Sequence, residues 1–166
     1  MISPRVLVAG IGNIFLGDDA FGVEVVRELL RRPQFEGARI VDFGIRGLDL
    51  AYTLLENYEA VVLVDACPRG HEPGTLFLLE VKTGEKADSG FVEFRGHSLD
   101  PVHVLRLAAA MGAALPRCFV LGCEPSPSAD LEEMTAGLSQ SVRAAVAVAV
   151  PRVESLIRDL LGTGNQ

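Results

Sequence analysis

The stretch that decides the fold is RVLVAGIGNIFLGDDAFGVEVVRELL, residues 5–30. Its first five residues, Arg5 to Ala9, form a short apolar, β-branched run that stops at Gly10, the signature of a buried strand. From Ala20 to Arg32 the apolar residues Phe21, Val25, Val26, Leu29 and Leu30 recur at helical spacing. Asp18 or Asp19 stands where an N-cap is expected. A strand that turns through a glycine-rich loop into a helix is half of a βαβ unit, and the rest of the chain continues the alternation. Ala38–Phe43 reads as a second strand, Gly47–Glu56 as a short helix and Ala60–Asp65 as a third strand. In the short helix Leu48, Leu50, Ala51, Leu54 and Leu55 are available to face the core. Gly74–Val81 is strand-like and is followed by a polar loop over residues 82–90. Ser98–Met111 is helical, with Pro101 in its first turn. Arg117–Leu121 is a fifth strand. Pro125 to Pro127 break the chain before a long helix ending near Leu161, which Pro151 is expected to kink or interrupt. The pattern predicts a three-layer α/β fold, a mostly parallel sheet with helices on both faces, in one domain spanning residues 1–166.

Composition narrows the function. Half of the chain is hydrophobic (49%) and 22% is charged, the balance of a folded domain with one core. Fifteen basic residues face twenty-two acidic ones, a net charge of −7, so a phosphate backbone is repelled and no nucleic-acid partner is expected. No apolar run approaches the roughly 20 residues a membrane span requires. The N-terminus enters a strand without the charged and apolar regions of a signal peptide. The odd, widely spaced set Cys67, Cys118 and Cys123 does not form a disulfide framework, which fits a reducing, cytoplasmic setting.

In open parallel sheets, sites form beyond the carboxyl ends of strands. The loop after the first strand is not a dinucleotide loop: a GxGxxG pattern from Gly10 needs glycine at position 15, which is Phe15. It delivers instead two adjacent carboxylates, Asp18 and Asp19, which leave a helix start in different directions. One can cap while the other faces the sheet edge. Asp65 follows five apolar residues at the end of the third strand, and a carboxylate buried there needs a partner or a role. His97 stands at the mouth of a helix. Two carboxylates and one imidazole from three strand ends suit a divalent transition metal. His71 and His103 are expected to be structural or solvent-facing, and Cys67 to be a small buried residue rather than a nucleophile. Asp42 is placed to line the same edge as Asp65, and Arg46 either to hold a peptide carboxylate or to point into solvent.

The segments VLVAGIGNIFLGDDAFGVEVV, DFGIRGLDL, VVLVDA with the later PGT, and GHSLDPVHVL resemble, in order and spacing, those of the hydrogenase maturation endopeptidases. The likeness runs from about Val6 to the final helix. It implies a five-stranded twisted sheet between helices. It implies an aspartic-type endopeptidase that removes a short C-terminal peptide from the precursor of a nickel-iron hydrogenase large subunit once nickel is inserted. Asp19 and Asp65 match the two acidic positions and His97 the histidine, as catalytic and metal-contacting residues. The metal implied is nickel supplied by the substrate, with no organic cofactor. The chain departs from many relatives at Ile45 and Arg46, where a small residue or Thr follows the glycine, and substrate identity is open on that account. The alternative is a non-catalytic nickel-binding module that uses the same trio.

Overall fold

A computed structural model describes residues 3–82, 100–127 and 137–162. The elements are β1 (Val6–Ile11), a 3-10 turn (Gly17–Ala20), α1 (Phe21–Leu30), β2 (Ala38–Gly44), α2 (Gly47–Thr53), β3 (Ala60–Ala66), β4 (Leu76–Val81), α3 (Pro101–Ala110), β5 (Arg117–Cys123) and α4 (Gln140–Gly162). The sheet has five strands in the order β2-β1-β3-β5-β4, all parallel except β4, which runs antiparallel to β5 at one edge. The predicted three-layer, mostly parallel arrangement is the one observed.

The core divides by the parity of the strands. On one face Val6, Val8, Val62, Val64, Phe119 and Leu121 pack against α1 and α4. On the other, Leu7, Ala9, Ile11, Val61, Leu63 and Val120 pack against α2 and α3. Because β1 and β3 have no polar residue before their carboxyl ends, they sit fully buried at the centre. The chain leaves β1 towards β2 on one side and returns to β3 on the other. Its topological switch point therefore lies between the carboxyl ends of β1 and β3.

Three local expectations change. Pro151 does not interrupt α4, which runs unbroken through it. Val150, Val153 and Ile157 are fully buried, and this packing outweighs the one backbone hydrogen bond that proline removes. In α2 only Leu50, Ala51 and Leu54 face the core, while Leu48 and Leu55 are exposed. Neither Asp18 nor Asp19 caps α1, whose N-cap is Ala20 without a side-chain bond. The polar loop expected over residues 82–90 lies, after Lys82, outside the described residues. No helix among the described residues is long and apolar enough to cross a membrane.

Candidate active site

Backbone proximity builds the site before any side chain enters it. The register of β1 with β3 pairs Gly10 with Val64, so Gly12 leaves the sheet beside Asp65. Above this edge α1 approaches so closely that a Cβ on Gly22 would lie 2.5 Å from the Ile11 carbonyl oxygen and closer still to that of Val64. A Cβ on Gly12 would collide with the carbonyl of Asp19 in the same way. Only glycine lets the 3-10 turn rest on the ends of β1 and β3.

The two adjacent aspartates then part company. Asp18 turns towards α4: its Oδ1 accepts from the Ser139 N–H at 2.7 Å, and its Oδ2 from the Ser126 N–H and the Ser139 hydroxyl, both at 2.9 Å. It ties the loop after β5 and the start of α4 to the 3-10 turn, a structural role. Asp19 folds back over its own loop, where its Oδ2 accepts from the Asn13 N–H at 2.7 Å. The Asn13 side chain in turn accepts from the Phe15 N–H at 2.9 Å, which shapes the loop. Burial raises the Asp19 carboxyl above its ordinary range, against the pull of the Asn13 N–H.

Asp65 continues the parity of Val61 and Leu63, at the end of the strand. It is 3% exposed, and its Oδ1 has no hydrogen-bond partner among the described residues. Burial pushes its pKa well above the carboxylate range, and the negative charges of Asp19 and Asp100 push it further, against the Ala66 N–H. Burial and the neighbouring negative charges thus favour the neutral form of Asp65, and a positive charge would favour the ionised form. An orphaned buried carboxylate oxygen facing a second carboxylate suits a cation, and the hard oxygen donors of Asp19 and Asp65 can ligate a divalent metal. Among the described residues no group of three or more His, Cys, Asp or Glu stands ready to hold a metal. His97 lies outside the described residues.

Two carboxylates near the site were not singled out in the sequence. Asp100 caps α3, its Oδ1 accepting from the Val102 N–H at 2.9 Å, and adds negative charge to the surroundings of Asp65. Its signal was available: Asp followed by Pro101 is a helix-start pair. Glu124 is buried and accepts from the Arg69 N–H at 2.6 Å and the Gly70 N–H at 3.2 Å, so it holds the loop that follows Asp65. Nothing in the local sequence marks it, since its donors lie more than fifty residues away.

The remaining candidates are structural. Asp42 sits at the end of β2, where Arg27 approaches its Oδ2 at 3.4 Å. Arg46 neither waits for a carboxylate nor projects freely. Its guanidinium donates to the carbonyls of Phe43 at 3.2 Å and Asp42 at 2.5 Å and pairs with Asp49 at 3.4 Å, clamping the β2–α2 turn. Cys67 is fully buried, and burial together with Asp65 raises its thiol far above neutrality, so it does not supply a thiolate. His71 and His103 are exposed, as expected.

Residues 23–156 match a family model described as HycI, hydrogenase maturation protease. The chain is 31% identical over 157 residues to the hydrogenase expression/formation protein HupD of Rhizobium leguminosarum bv. viciae, covering 94% of this chain and 75% of that protein. It is 33% identical over 153 residues to HupD of Bradyrhizobium diazoefficiens, covering 88% and 74%. Among solved structures, the hydrogenase maturating endopeptidase HybD from E. coli superposes with a TM-score of 0.71 at 25% identity, over 93% of each chain. The solution structure of an endopeptidase from Escherichia coli gives 0.74 at 27% identity, again over 93% of each.

Proposed function

The chain belongs to the hydrogenase maturation protease family, and from that premise we propose that it removes a short C-terminal peptide from the nickel-loaded precursor of a nickel-iron hydrogenase large subunit, in the cytoplasm. The observation that carries the reading is the Asp65 carboxyl, buried at the switch point with one oxygen unpartnered among the described residues and with the negative charge of Asp19 acting on it.

Nickel arrives as part of the substrate. Asp19, Asp65 and His97 clasp it, and the precursor's scissile bond is thereby held next to the carboxylates. Cation binding favours the ionised form of Asp65, because the positive charge replaces the proton that burial otherwise retains. Asp19 keeps one oxygen on the Asn13 N–H and offers the other to the cation. Water then adds across the peptide bond: its hydroxyl joins the carbonyl carbon, the C–N bond breaks, and the departing amine takes the proton. The water is activated either by the substrate's metal or by a carboxylate acting as general base. A nickel-free precursor brings nothing for the trio to grip, so it stays uncut.

The experiment is incubation of nickel-loaded and nickel-free precursor with wild-type protein and with Asp19→Ala, Asp65→Ala and His97→Ala, with products weighed by mass spectrometry. Loss of a C-terminal peptide only from the loaded precursor, and only with wild type, is expected. Intact cleavage by all three variants sinks the assignment.

A further inference from the structure

Helix α2 carries an apolar stripe on the wrong side. Its inner residues Leu50, Ala51 and Leu54 are buried, yet Leu48 and Tyr52 on the outer side are 55% and 56% exposed. Ile45, in the turn before the helix, is 65% exposed, and Leu55 just past its end is 40% exposed. Within α2, Leu48 and Tyr52 are four residues apart and share one side of the helix, and Ile45 and Leu55 flank its two ends. The charges that flank the stripe are neutralised within the chain: Arg46 pairs with Asp49 at 3.4 Å and Arg39 with Glu56 at 3.3 Å. Both of these pairs lie within the chain at the protein surface.

The stripe is tied to the catalytic edge through the backbone. The Gly12 N–H donates to the Gly44 carbonyl at 3.0 Å, which fastens the loop after β1 to the turn after β2. The first of these loops carries Asp19 and also Phe15, 60% exposed. The second carries Ile45. The turn that carries Ile45 is therefore fastened to the loop that carries Asp19 and Phe15.

We propose that Ile45, Leu48, Tyr52 and Leu55, with Phe15, form the surface on which the folded body of the precursor docks. It meets there an apolar patch of the precursor beside its C-terminal extension. The proposal rests on the function given above. A few side chains contribute far less than the roughly 800 Å² per partner of a stable interface. That extent suits a substrate that must leave after one cut better than a permanent second copy of this chain. Contacts remote from the scissile bond also let one protein be selected while the chemistry at the carboxylates stays unchanged.

The test is cleavage of nickel-loaded precursor over a range of precursor concentrations, with sedimentation velocity on the free proteins. The variants are Leu48→Glu/Tyr52→Glu, Ile45→Glu and, on α4, the exposed Val148→Glu as a control. The docking variants are expected to raise KM about tenfold or more and leave kcat at saturation unchanged, as loss of central contacts does. Val148→Glu is expected to change neither. Ile45→Glu lies outside the helix, so it reports on docking even if the double variant weakens α2. An unchanged KM in Ile45→Glu and in the folded double variant overturns the proposal while the protease reading stands. A wild-type dimer that the variants dissolve, with KM unchanged, assigns the stripe to self-association and also overturns it. Failure of wild type to cut the loaded precursor removes the protease reading, and the docking surface with it.

Discussion

Gly22→Ala tests whether the site is set by backbone approach. The added Cβ would stand 2.5 Å from the Ile11 oxygen and 2.7 Å from the Val64 carbonyl carbon. Both belong to the two central strands, which are buried along their whole length and cannot give. Ordinary contact near 3.5 Å then requires α1 to retreat by about 1 Å from the Ile11 oxygen and by more from the Val64 oxygen, which is closer still. The 3-10 turn that bears Asp19 leads directly into α1, so the retreat lifts Asp19 from the edge where Asp65 waits. Overpacking of this kind costs about 1–3 kcal/mol. Against it, alanine is favoured over glycine in a helix by about 1 kcal/mol. The net loss is about 0–2 kcal/mol, a fall in Tm of at most roughly 8 °C for a chain of this size. Catalysis is far more sensitive, since a 1 Å misplacement costs about 100-fold. Single-turnover cleavage of loaded precursor, followed by mass spectrometry beside a thermal melt, separates the two effects. The control is Gly162→Ala at the end of α4, where a Cβ meets nothing within 4 Å. It is expected to cut at the wild-type rate. If Gly22→Ala is folded and equally fast, the site does not depend on this contact and the reasoning is wrong.

Asp65→Asn is expected to abolish cleavage yet to raise Tm at pH 8, because it removes a carboxyl that resists ionisation in the fold. The sign follows from the raised pKa: the contribution of Asp65 to stability is complete below its ordinary carboxylate value and is lost as pH rises through the folded value. Thermal melts across that window should slope more steeply in wild type than in the variant, and parallel curves would contradict the burial argument. Asp18→Ala strands three donors at Ser126 and Ser139, for a loss of about 2–3 kcal/mol and roughly 5–10 °C in Tm. A melt within 2 °C of wild type would show, against the roughly 5–10 °C expected, that this tie is not needed. The thiols of Cys118 and Cys123 are pushed up to about 12 by burial and that of Cys67 higher. Iodoacetamide at pH 8 should therefore leave all three unmodified in the native protein and cleavage intact, whereas labelling of Cys67 with loss of cleavage would restore it as a candidate nucleophile.

Legibility followed the range over which each residue is determined. Strands β1 and β3 were plain because a continuous apolar run has one solution in an α/β sheet, burial on both faces. The strand-end rule led from there to Asp65 and to the pair Asp18 and Asp19, from which only the family resemblance singled out Asp19. The division of labour between Asp18 and Asp19 was not readable. The partners that fix Asp18 are 108 and 121 residues away, and adjacency in sequence says only that the two side chains diverge. The inner face of α2 was misassigned at Leu48 and Leu55 because seven residues are barely two turns, too short for periodicity to select a face. At Pro151 the local penalty was real, but contacts along a 23-residue helix outweigh it. Asp100 escaped notice because its evident local task, capping α3, hid its charge from view beside Asp65.

The contrast between the aspartates explains how one fold can hold a site ready without closing it. Asp18 and Glu124 have donors for both oxygens, and each fastens a loop. Asp65, deeper than Asp18, has one oxygen with no donor among the described residues and feels the negative charges of Asp19 and Asp100. A fold selected for stability alone would fill that position with an apolar residue, as it fills the rest of β3. A cation brought to that position would compensate the carboxyl. On the proposed reading the substrate's own metal supplies that charge. Recognition of a finished metal centre then requires no separate sensor: the energetic penalty stored at Asp65 is relieved by the cation that marks the precursor as ready to be cut.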